Sequence, residues 1–158
     1  MNLTRRSPAK VNLFLKVISK RPDGYHNIVS IVTPISLYDT IHLSDAAHGG
    51  IGMSDDKNIL PTGPENTMYR AAALLKERYS VTRGVDIHVE KRIPIGSGLG
   101  GPSSNAATVL RSLVELWGLT VDEKELFDMG TSIGADVPLF LYGKPCIMEG
   151  IGERITPV

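Results

Sequence analysis

The chain has 158 residues, which is enough for one domain with a sizeable core and short for two. Hydrophobic residues make up 42% and charged residues 22%, and 17 Lys and Arg balance 17 Asp and Glu. This balance gives no electrostatic reason to expect a nucleic acid or an anionic membrane as a partner.

The sequence carries no targeting signal that we recognise. No apolar run approaches the ~20 residues of a membrane span, and the two arginines near the N-terminus precede no apolar core, so no secretory signal is predicted. The single cysteine, Cys146, cannot form an internal disulfide, and its setting indicates a buried side chain rather than a catalytic thiol. We therefore expect one cytoplasmic domain over residues 1–158.

The first half of the chain predicts mainly strands. Residues 10–18 alternate apolar and polar, so Val11, Leu13, Leu15 and Val17 are expected on one buried face. Turn residues follow at 22–24, and strand-like runs resume at 28–37 and 39–43. Residues 44–58 are polar and rich in glycine, which indicates a mobile loop or a hairpin end.

The second half predicts helices around one further strand. Residues 65–79 repeat apolar side chains at helical spacing, and residues 84–95 alternate like a strand. Residues 103–119 and 120–134 predict two helices ending at glycines, and 138–155 a pair of strands. Because strands come first and helices follow without strict alternation, the α+β class is predicted.

The most informative segment is KRIPIGSGLGGPSSNAATVL, from Lys91 to Leu110. Glycines allow positive φ and let a ligand approach the backbone, and a helix that begins there adds unpaired N–H groups. Gly96 to Ser104 therefore has the features of a polyphosphate cradle. The alternative is a tight strand-to-helix turn in which Ser103 and Ser104 only cap the helix.

The segment matches one known phosphate-binding motif in part and lacks the others. Gly96-x-Gly98-x-x-Gly101 fits the dinucleotide fingerprint, but no second parallel strand with an acidic residue follows. A Walker loop is excluded because the Gly143-Lys144 pair is followed by Pro145. The protein-kinase motifs His-Arg-Asp and Asp-Phe-Gly do not occur.

Pro94 together with GSGLGGPSSNAA resembles the glycine motif of the GHMP small-molecule kinases. The segments SPAKVNLFLKVISKRPDGYHNIVSI and GADVPLFLYGKPCIMEGIGE narrow the resemblance to the members that act on 4-diphosphocytidyl-2-C-methyl-D-erythritol. The resemblance implies the N-terminal GHMP domain, which is ribosomal protein S5 domain 2-like, with a mixed or antiparallel sheet and helices on one face. It also implies phosphorylation of the substrate's 2-hydroxyl by ATP, in non-mevalonate isoprenoid biosynthesis.

The sequence departs from the family pattern in two respects. Pro102 stands where the family usually has a third glycine; proline suits the start of a helix but removes one N–H donor. Family members also continue into a second domain of comparable size, which we expect to be absent from this chain.

The resemblance assigns roles to particular residues. Asp136 is expected to be the general base, although an Asp after a glycine is more often a turn residue, and Lys10 is its expected partner, although a strand Lys is usually a solvated edge charge. Asn12 is expected to orient the substrate, while Tyr25 stacks on cytosine and His26 binds the edge of the base.

ATP and Mg²⁺ are the expected cofactors. The nucleotide is expected to contact a set centred on the glycine loop: Pro94, Ile95, Gly96, Ser97, Gly98, Leu99, Gly100, Gly101, Pro102, Ser103, Ser104, Asn105, Asn66 and Lys91. For Asn66 a simple helix N-cap is nearly as good an interpretation. The histidines show no metal-ligand spacing, so a protein-bound zinc is not expected.

Three alternatives stay open at this point. Another GHMP kinase, such as homoserine kinase, shares the loop but not the Asp23-Gly24-Tyr25-His26 turn. A nicotinamide-dependent oxidoreductase shares the glycine fingerprint. The third alternative is that the chain is the nucleotide-binding half of a kinase and is not catalytic by itself.

Overall fold

The computed structural model describes all residues 1–158 as a six-stranded sheet with four helices. In chain order the elements are β1 Asn2–Lys20, β2 His26–Ala46, β3 Ile51–Asp55, α1 Thr67–Arg78, β4 Gly84–Glu90, α2 Gly101–Leu116, α3 Glu123–Ile133, α4 Val137–Tyr142, β5 Cys146–Gly150 and β6 Arg154–Pro157. The strand order is β3-β4-β2-β5-β6, with β1 paired to β2. Only β3 and β4 are parallel. The predicted α+β class and mixed sheet are confirmed.

The core lies between one face of the sheet and the helices. Alternate residues of β2 and β4 point toward the helices, among them Ile41, Leu43 and Ile87. They meet the apolar stripe of α2, in which Leu110 and Leu113 are fully buried. Because strand side chains alternate, the residues between them face the opposite, polar side of the sheet.

Two predictions of secondary structure were wrong. Residues 44–58 contain β3, whose parallel pairing with β4 is a long-range contact that local polarity does not reveal. Residues 138–142 lie in helix α4 rather than in a strand. A short apolar run fits either structure, and here Pro138 occupies the first turn while Gly143, at φ 73°, ends the helix.

The prediction that residues 10–18 bury one face was also wrong. β1 and β2 form a long hairpin, and in its outer part Leu13, Leu15 and Val17 are 69%, 56% and 56% exposed. Phe14 and Ile18, on the same part of β1, are 48% and 55% exposed. Register shifts between Asn12 and Phe14 and between Val17 and Ser19 interrupt the alternation of β1. Alternation also does not say whether another element covers a given face.

No helix of the structure is long and apolar enough to span a membrane. Cys146 lies on β5 with no exposed surface, and burial raises the pKa of its thiol. Its interpretation as a buried side chain is confirmed.

Leu113→Ala and Leu15→Ala test the contrast between the core and the hairpin. We expect Leu113→Ala to lower the free energy of unfolding by about 2–5 kcal/mol, because it leaves a cavity in a closed core. Leu15→Ala removes an equally large but mostly exposed side chain, so the expected loss is below about 1 kcal/mol. Urea unfolding of the purified chain measures both, and equal losses contradict the exposed hairpin.

Candidate active site

The loop between β4 and α2 is shaped by three glycines in the left-handed region. Gly96, Gly98 and Gly100 have φ values of 69°, 74° and 78°, which other residues adopt only with strain. At Gly100 a Cβ atom would also lie 2.7 Å from Cζ of Phe140. The predicted need for glycine is therefore confirmed, and at Gly100 packing adds to it.

Helix α2 begins directly after this loop. Gly100 is its N-cap residue and makes no side-chain capping bond, so the serines do not cap the helix. The backbone N–H groups of the first turn lack partners within the helix, apart from Pro102, which has none to offer. The loop is held to the sheet because the Lys10 N–H donates to the Leu99 carbonyl at 2.9 Å.

A cavity of about 330 Å³ brings the predicted catalytic pair against the glycine loop. Its lining residues are Lys10, Pro94, Gly96, Ser97, Gly98, Gly100, Gly101, Pro102 and Asp136. Nζ of Lys10 lies 3.9 Å from Oδ2 of Asp136, and the two side chains are 10% and 34% exposed. A sheltered ammonium thus stands beside a carboxylate that remains accessible from the cavity.

Local hydrogen bonds fix these two side chains differently. The Lys10 ammonium donates to Oδ1 of Asn12 at 2.7 Å, and the Asn12 amide donates to Oγ of Ser30 at 2.7 Å. Asp136 is the N-cap residue of α4, yet its carboxylate makes no capping bond. The Asp136 carboxylate is therefore free to accept a proton from a bound hydroxyl.

A second cavity of about 230 Å³ lies next to the loop. Apolar and proline side chains form most of its wall, and its polar residues include Asn66, Lys91 and Asn105. Asn66 accepts from the Met68 N–H and donates to the Pro61 carbonyl, both at 2.9 Å, so it is an N-cap residue that also borders the cavity.

Asp55 holds the segment that supplies part of this wall. Burial opposes ionisation of its carboxyl, but backbone N–H groups of Leu60, Ile59 and Lys57 outweigh burial and hold its pKa below the usual range. A carboxylate stabilised by several N–H donors keeps the segment in place.

Two of the predicted loop residues turn away from the loop. The Ser104 side chain is fully buried, and its hydroxyl lies 2.8 Å from that of Ser7. The nucleotide contact expected of Ser104 therefore does not involve this hydroxyl. Asn105 is also buried, and its Nδ2 donates to Ser7 at 2.9 Å. Both side chains belong to a polar network beneath the loop, because the first turn of α2 rests on β1 and β2.

Tyr25 and His26 are not brought into either cavity. They lie at the tip of the β1–β2 hairpin, where Tyr25 is 59% exposed. Lys20 pairs with His26, and from Asn12 to Lys20 the strand covers about 26 Å at ~3.3 Å per residue. Only an extended ligand can reach from the hairpin tip to the loop.

Sequence reasoning missed Asp39, which is completely buried and whose Oδ2 lies 2.5 Å from Nζ of Lys91. A signal was present: Asp39 shares its strand face with Ile41 and Leu43, so alternation places a carboxylate in the core. Buried carboxylates are rare without a partner, so the sequence position of Asp39 predicts a partner for its carboxylate.

The largest cavity, about 540 Å³, lies on the polar face of the sheet and contains none of the predicted residues. Its histidines bond to neighbouring strands: His42 to Thr4 and Glu90, and His88 to Ser54. No group of three or more His, Cys, Asp or Glu side chains is arranged to hold a metal ion.

The chain is similar to proteins of known family in sequence and in fold. The profile of the GHMP kinases N terminal domain matches residues 66–144. The chain belongs to the GHMP kinase family. Relatives from Alkaliphilus metalliredigens and Caldicellulosiruptor saccharolyticus, both described as 4-diphosphocytidyl-2-C-methyl-D-erythritol kinase, are 44% and 47% identical over 153 and 148 residues.

These alignments cover 97% and 94% of this chain but 53% and 51% of the two relatives. The chain thus spans about half the length of the curated relatives it matches. A crystal structure of 4-(cytidine 5'-diphospho)-2C-methyl-D-erythritol kinase superposes with a TM-score of 0.83 at 43% identity, over 99% of this chain and 55% of that one. The Methanococcus jannaschii mevalonate kinase, at 17% identity and a TM-score of 0.74 over 100% of this chain and 56% of that one, shows the fold alone.

Gly100→Ala and Gly96→Ala test how the loop is held. Both substitutions force a left-handed alanine, at a cost of about 1–2 kcal/mol. Only at Gly100 does the new methyl group also meet the Phe140 ring, which adds about 1–3 kcal/mol. We therefore expect Gly100→Ala to lose clearly more free energy of unfolding in urea, and equal losses contradict the contact with Phe140.

Proposed function

We propose that this chain is the nucleotide-binding part of an ATP-dependent kinase that phosphorylates the 2-hydroxyl of 4-diphosphocytidyl-2-C-methyl-D-erythritol, in non-mevalonate isoprenoid biosynthesis. The observation that carries the proposal is the single cavity in which Lys10 and Asp136 face the glycine loop. The substrate is inferred from the relatives, which are 44% and 47% identical and described as kinases of this compound. A cytoplasmic location is proposed with it.

The loop and the second cavity fit the two ends of ATP. The left-handed glycines and the start of α2 offer backbone N–H groups without side chains in front of them, which suits a triphosphate. The adjoining cavity has apolar walls and a few polar groups, which suits a nucleobase. Bound there, ATP supplies the phosphoryl group, and accompanying Mg²⁺ neutralises phosphate charge.

Asp136 and Lys10 have complementary tasks in this proposal. The Asp136 carboxylate accepts the proton of the acceptor hydroxyl, and the Lys10 ammonium, 3.9 Å from that carboxylate, polarises the hydroxyl. Asn12 holds the ammonium in place through its 2.7 Å hydrogen bond. Because the Lys10 N–H also bonds to the loop, Lys10 and the phosphate cradle keep a fixed separation.

The acceptor substrate is extended, with a cytosine at one end and the reacting hydroxyl at the other. We propose that the exposed ring of Tyr25 and the neighbouring His26 hold the cytosine, which requires a ligand that runs along the hairpin. Homoserine and mevalonate are small and carry no nucleobase, so neither would contact the hairpin tip.

We further propose that the functional enzyme contains a second domain of comparable size. The relatives are about twice as long as this chain, and the hairpin leaves Leu13, Leu15 and Ile18 largely exposed. Apolar side chains grouped in this way are usually covered in a functional assembly. On this proposal the 158-residue chain alone binds ATP but turns over little substrate.

Asp136→Asn tests the catalytic assignment. In the two-domain protein proposed above, we expect ATP-dependent phosphorylation of the cytidine substrate and no turnover of homoserine or mevalonate. Asp136→Asn should lower kcat at least ~100-fold, because the amide cannot accept the proton. Steady-state kinetics and circular dichroism measure activity and fold.

Asp128→Asn is the matched control for this substitution. Asp128 is an exposed Asp that pairs only with Lys124, so its replacement should leave kcat within about 2-fold. Near-normal turnover of Asp136→Asn refutes the general base, and turnover of homoserine in preference to the cytidine substrate refutes the proposed acceptor.

Tyr25→Ala tests the acceptor site. Loss of a stacked ring costs about 1–3 kcal/mol, so we expect KM for the cytidine substrate to rise about 5- to 100-fold while KM for ATP stays within about 2-fold. The same kinetics on Tyr69→Ala, a helix α1 residue outside both cavities, provide a comparison. Equal changes in the two KM values contradict the assignment.

A further inference from the structure

We infer that Asp39 is a positioning residue for the nucleobase: its buried carboxylate sets the directions in which Lys91 and Asn105 present their polar atoms to the second cavity. This inference rests on the proposed function, because it takes the nucleotide to be ATP. Asp39 itself lines neither the loop cavity nor the second cavity, so its influence passes through its partners.

The Asp39 carboxylate is completely buried and accepts four hydrogen bonds. Oδ1 accepts from the backbone N–H groups of Arg92 and Ile93 at 2.7 and 2.9 Å. Oδ2 accepts from Nζ of Lys91 at 2.5 Å and from Nδ2 of Asn105 at 3.0 Å. A carboxylate has about four acceptor sites, so the donors from the end of β4 and from α2 use all of them.

The first consequence concerns the charge of Lys91. Its ammonium lies 3.5 Å from the position that a Cβ of Gly101 would occupy, directly under the first turn of α2. The positive end of a helix dipole repels a cation, and a buried ammonium needs a partner. The Asp39 carboxylate meets both requirements and holds the ammonium at the wall of the second cavity, where it is a hydrogen-bond donor.

The second consequence concerns the orientation of the Asn105 amide. Its Nδ2 donates to both Asp39 and Ser7. Because a carboxylate only accepts hydrogen bonds, the NH₂ end must face Asp39 and the amide cannot be reversed. Its oxygen has no partner within the chain, and Asn105 lines the second cavity. Asp39 therefore determines that Asn105 offers an acceptor to the nucleobase.

The cavity consequently presents one fixed donor, Lys91, and one fixed acceptor, the Asn105 oxygen. Adenine carries an exocyclic amine, which is a donor, next to ring nitrogens, which are acceptors. Guanine carries a carbonyl oxygen in place of that amine and an N–H in place of the adjacent ring nitrogen, so its donor and acceptor positions are interchanged. A donor and an acceptor held in fixed positions thus favour adenine over guanine, and this preference depends on the charge of Asp39.

The experiment compares ATP with GTP in the proposed two-domain kinase. Asp39→Asn keeps the shape of the side chain but turns an NH₂ group toward the two donors, Lys91 and Asn105. The Lys91 ammonium then loses its hydrogen-bond partner, and the Asn105 amide can reverse. We expect KM for ATP to rise about 10-fold or more and the ATP-to-GTP ratio of kcat/KM to fall about 10-fold or more. The value of kcat at saturating ATP and KM for the acceptor should stay within about 3-fold.

Asp45→Asn is the matched control, because Asp45 lies on the same strand and is paired with Arg83 and the N-terminal amine far from the loop. It should change neither KM nor the nucleotide preference. Asp39→Ser, which leaves an acceptor oxygen and room for water, serves as a second variant if Asp39→Asn does not fold. If neither folds, Asp39 is a folding residue and the inference is overturned.

Two further results overturn the inference: an unchanged ATP-to-GTP ratio in a folded variant, or an equal loss of kcat for both nucleotides with unchanged KM. A wild-type protein that phosphorylates no cytidine substrate instead refutes the proposed function. Titration of ATP and GTP binding to the same variants then still decides whether Asp39 sets the nucleobase preference.

Discussion

The structure depends on how the loop between β4 and α2 is fastened to the sheet. The Asp39 carboxylate binds the backbone just before the loop and Asn105 just after it, and the Lys10 N–H holds the loop at Leu99. Detaching the loop would leave a buried carboxylate and the Lys91 ammonium unpaired, at a cost of several kcal/mol. The two cavities on either side of the loop therefore keep their relative positions.

The elements that the sequence predicted well are those whose apolar residues recur over several turns or strand pairs. Helix α2 and strand β4 were predicted because each buries one face against the core. The apolar residues on that face, such as Leu110 and Ile87, recur in the sequence at the spacing of a helix or a strand. β3 and α4 were not predicted. Five or six residues are too few to show a period, and the parallel pairing of β3 is decided by β4, which lies beyond α1 in sequence.

The features of the candidate site likewise differ in whether the local sequence predicts them. The shape of the loop followed from glycine chemistry alone, because positive φ at Gly98 and Gly100 is a local requirement. The approach of Lys10 to Asp136 was predicted only through a family resemblance, since no local rule brings β1 next to the start of α4. Asp39 was missed because a charge within a strand is ordinarily read as solvent-facing, although its register with Ile41 places it inside.

The polar face of the sheet and the outer part of the β1–β2 hairpin are both uncovered, but only the hairpin loses free energy by facing water. On the polar face of the sheet, His42 and His88 already have hydrogen-bond partners, so water can cover them without loss. The hairpin exposes Leu13 and Leu15 with no such compensation, and each Å² of apolar surface left in water forgoes about 25 cal/mol. If the proposed second domain covers this hairpin, it also encloses the side from which Tyr25 would hold the cytosine. On this proposal, the residues that bind the nucleotide all lie within this chain, whereas the acceptor pocket forms only when the hairpin is covered.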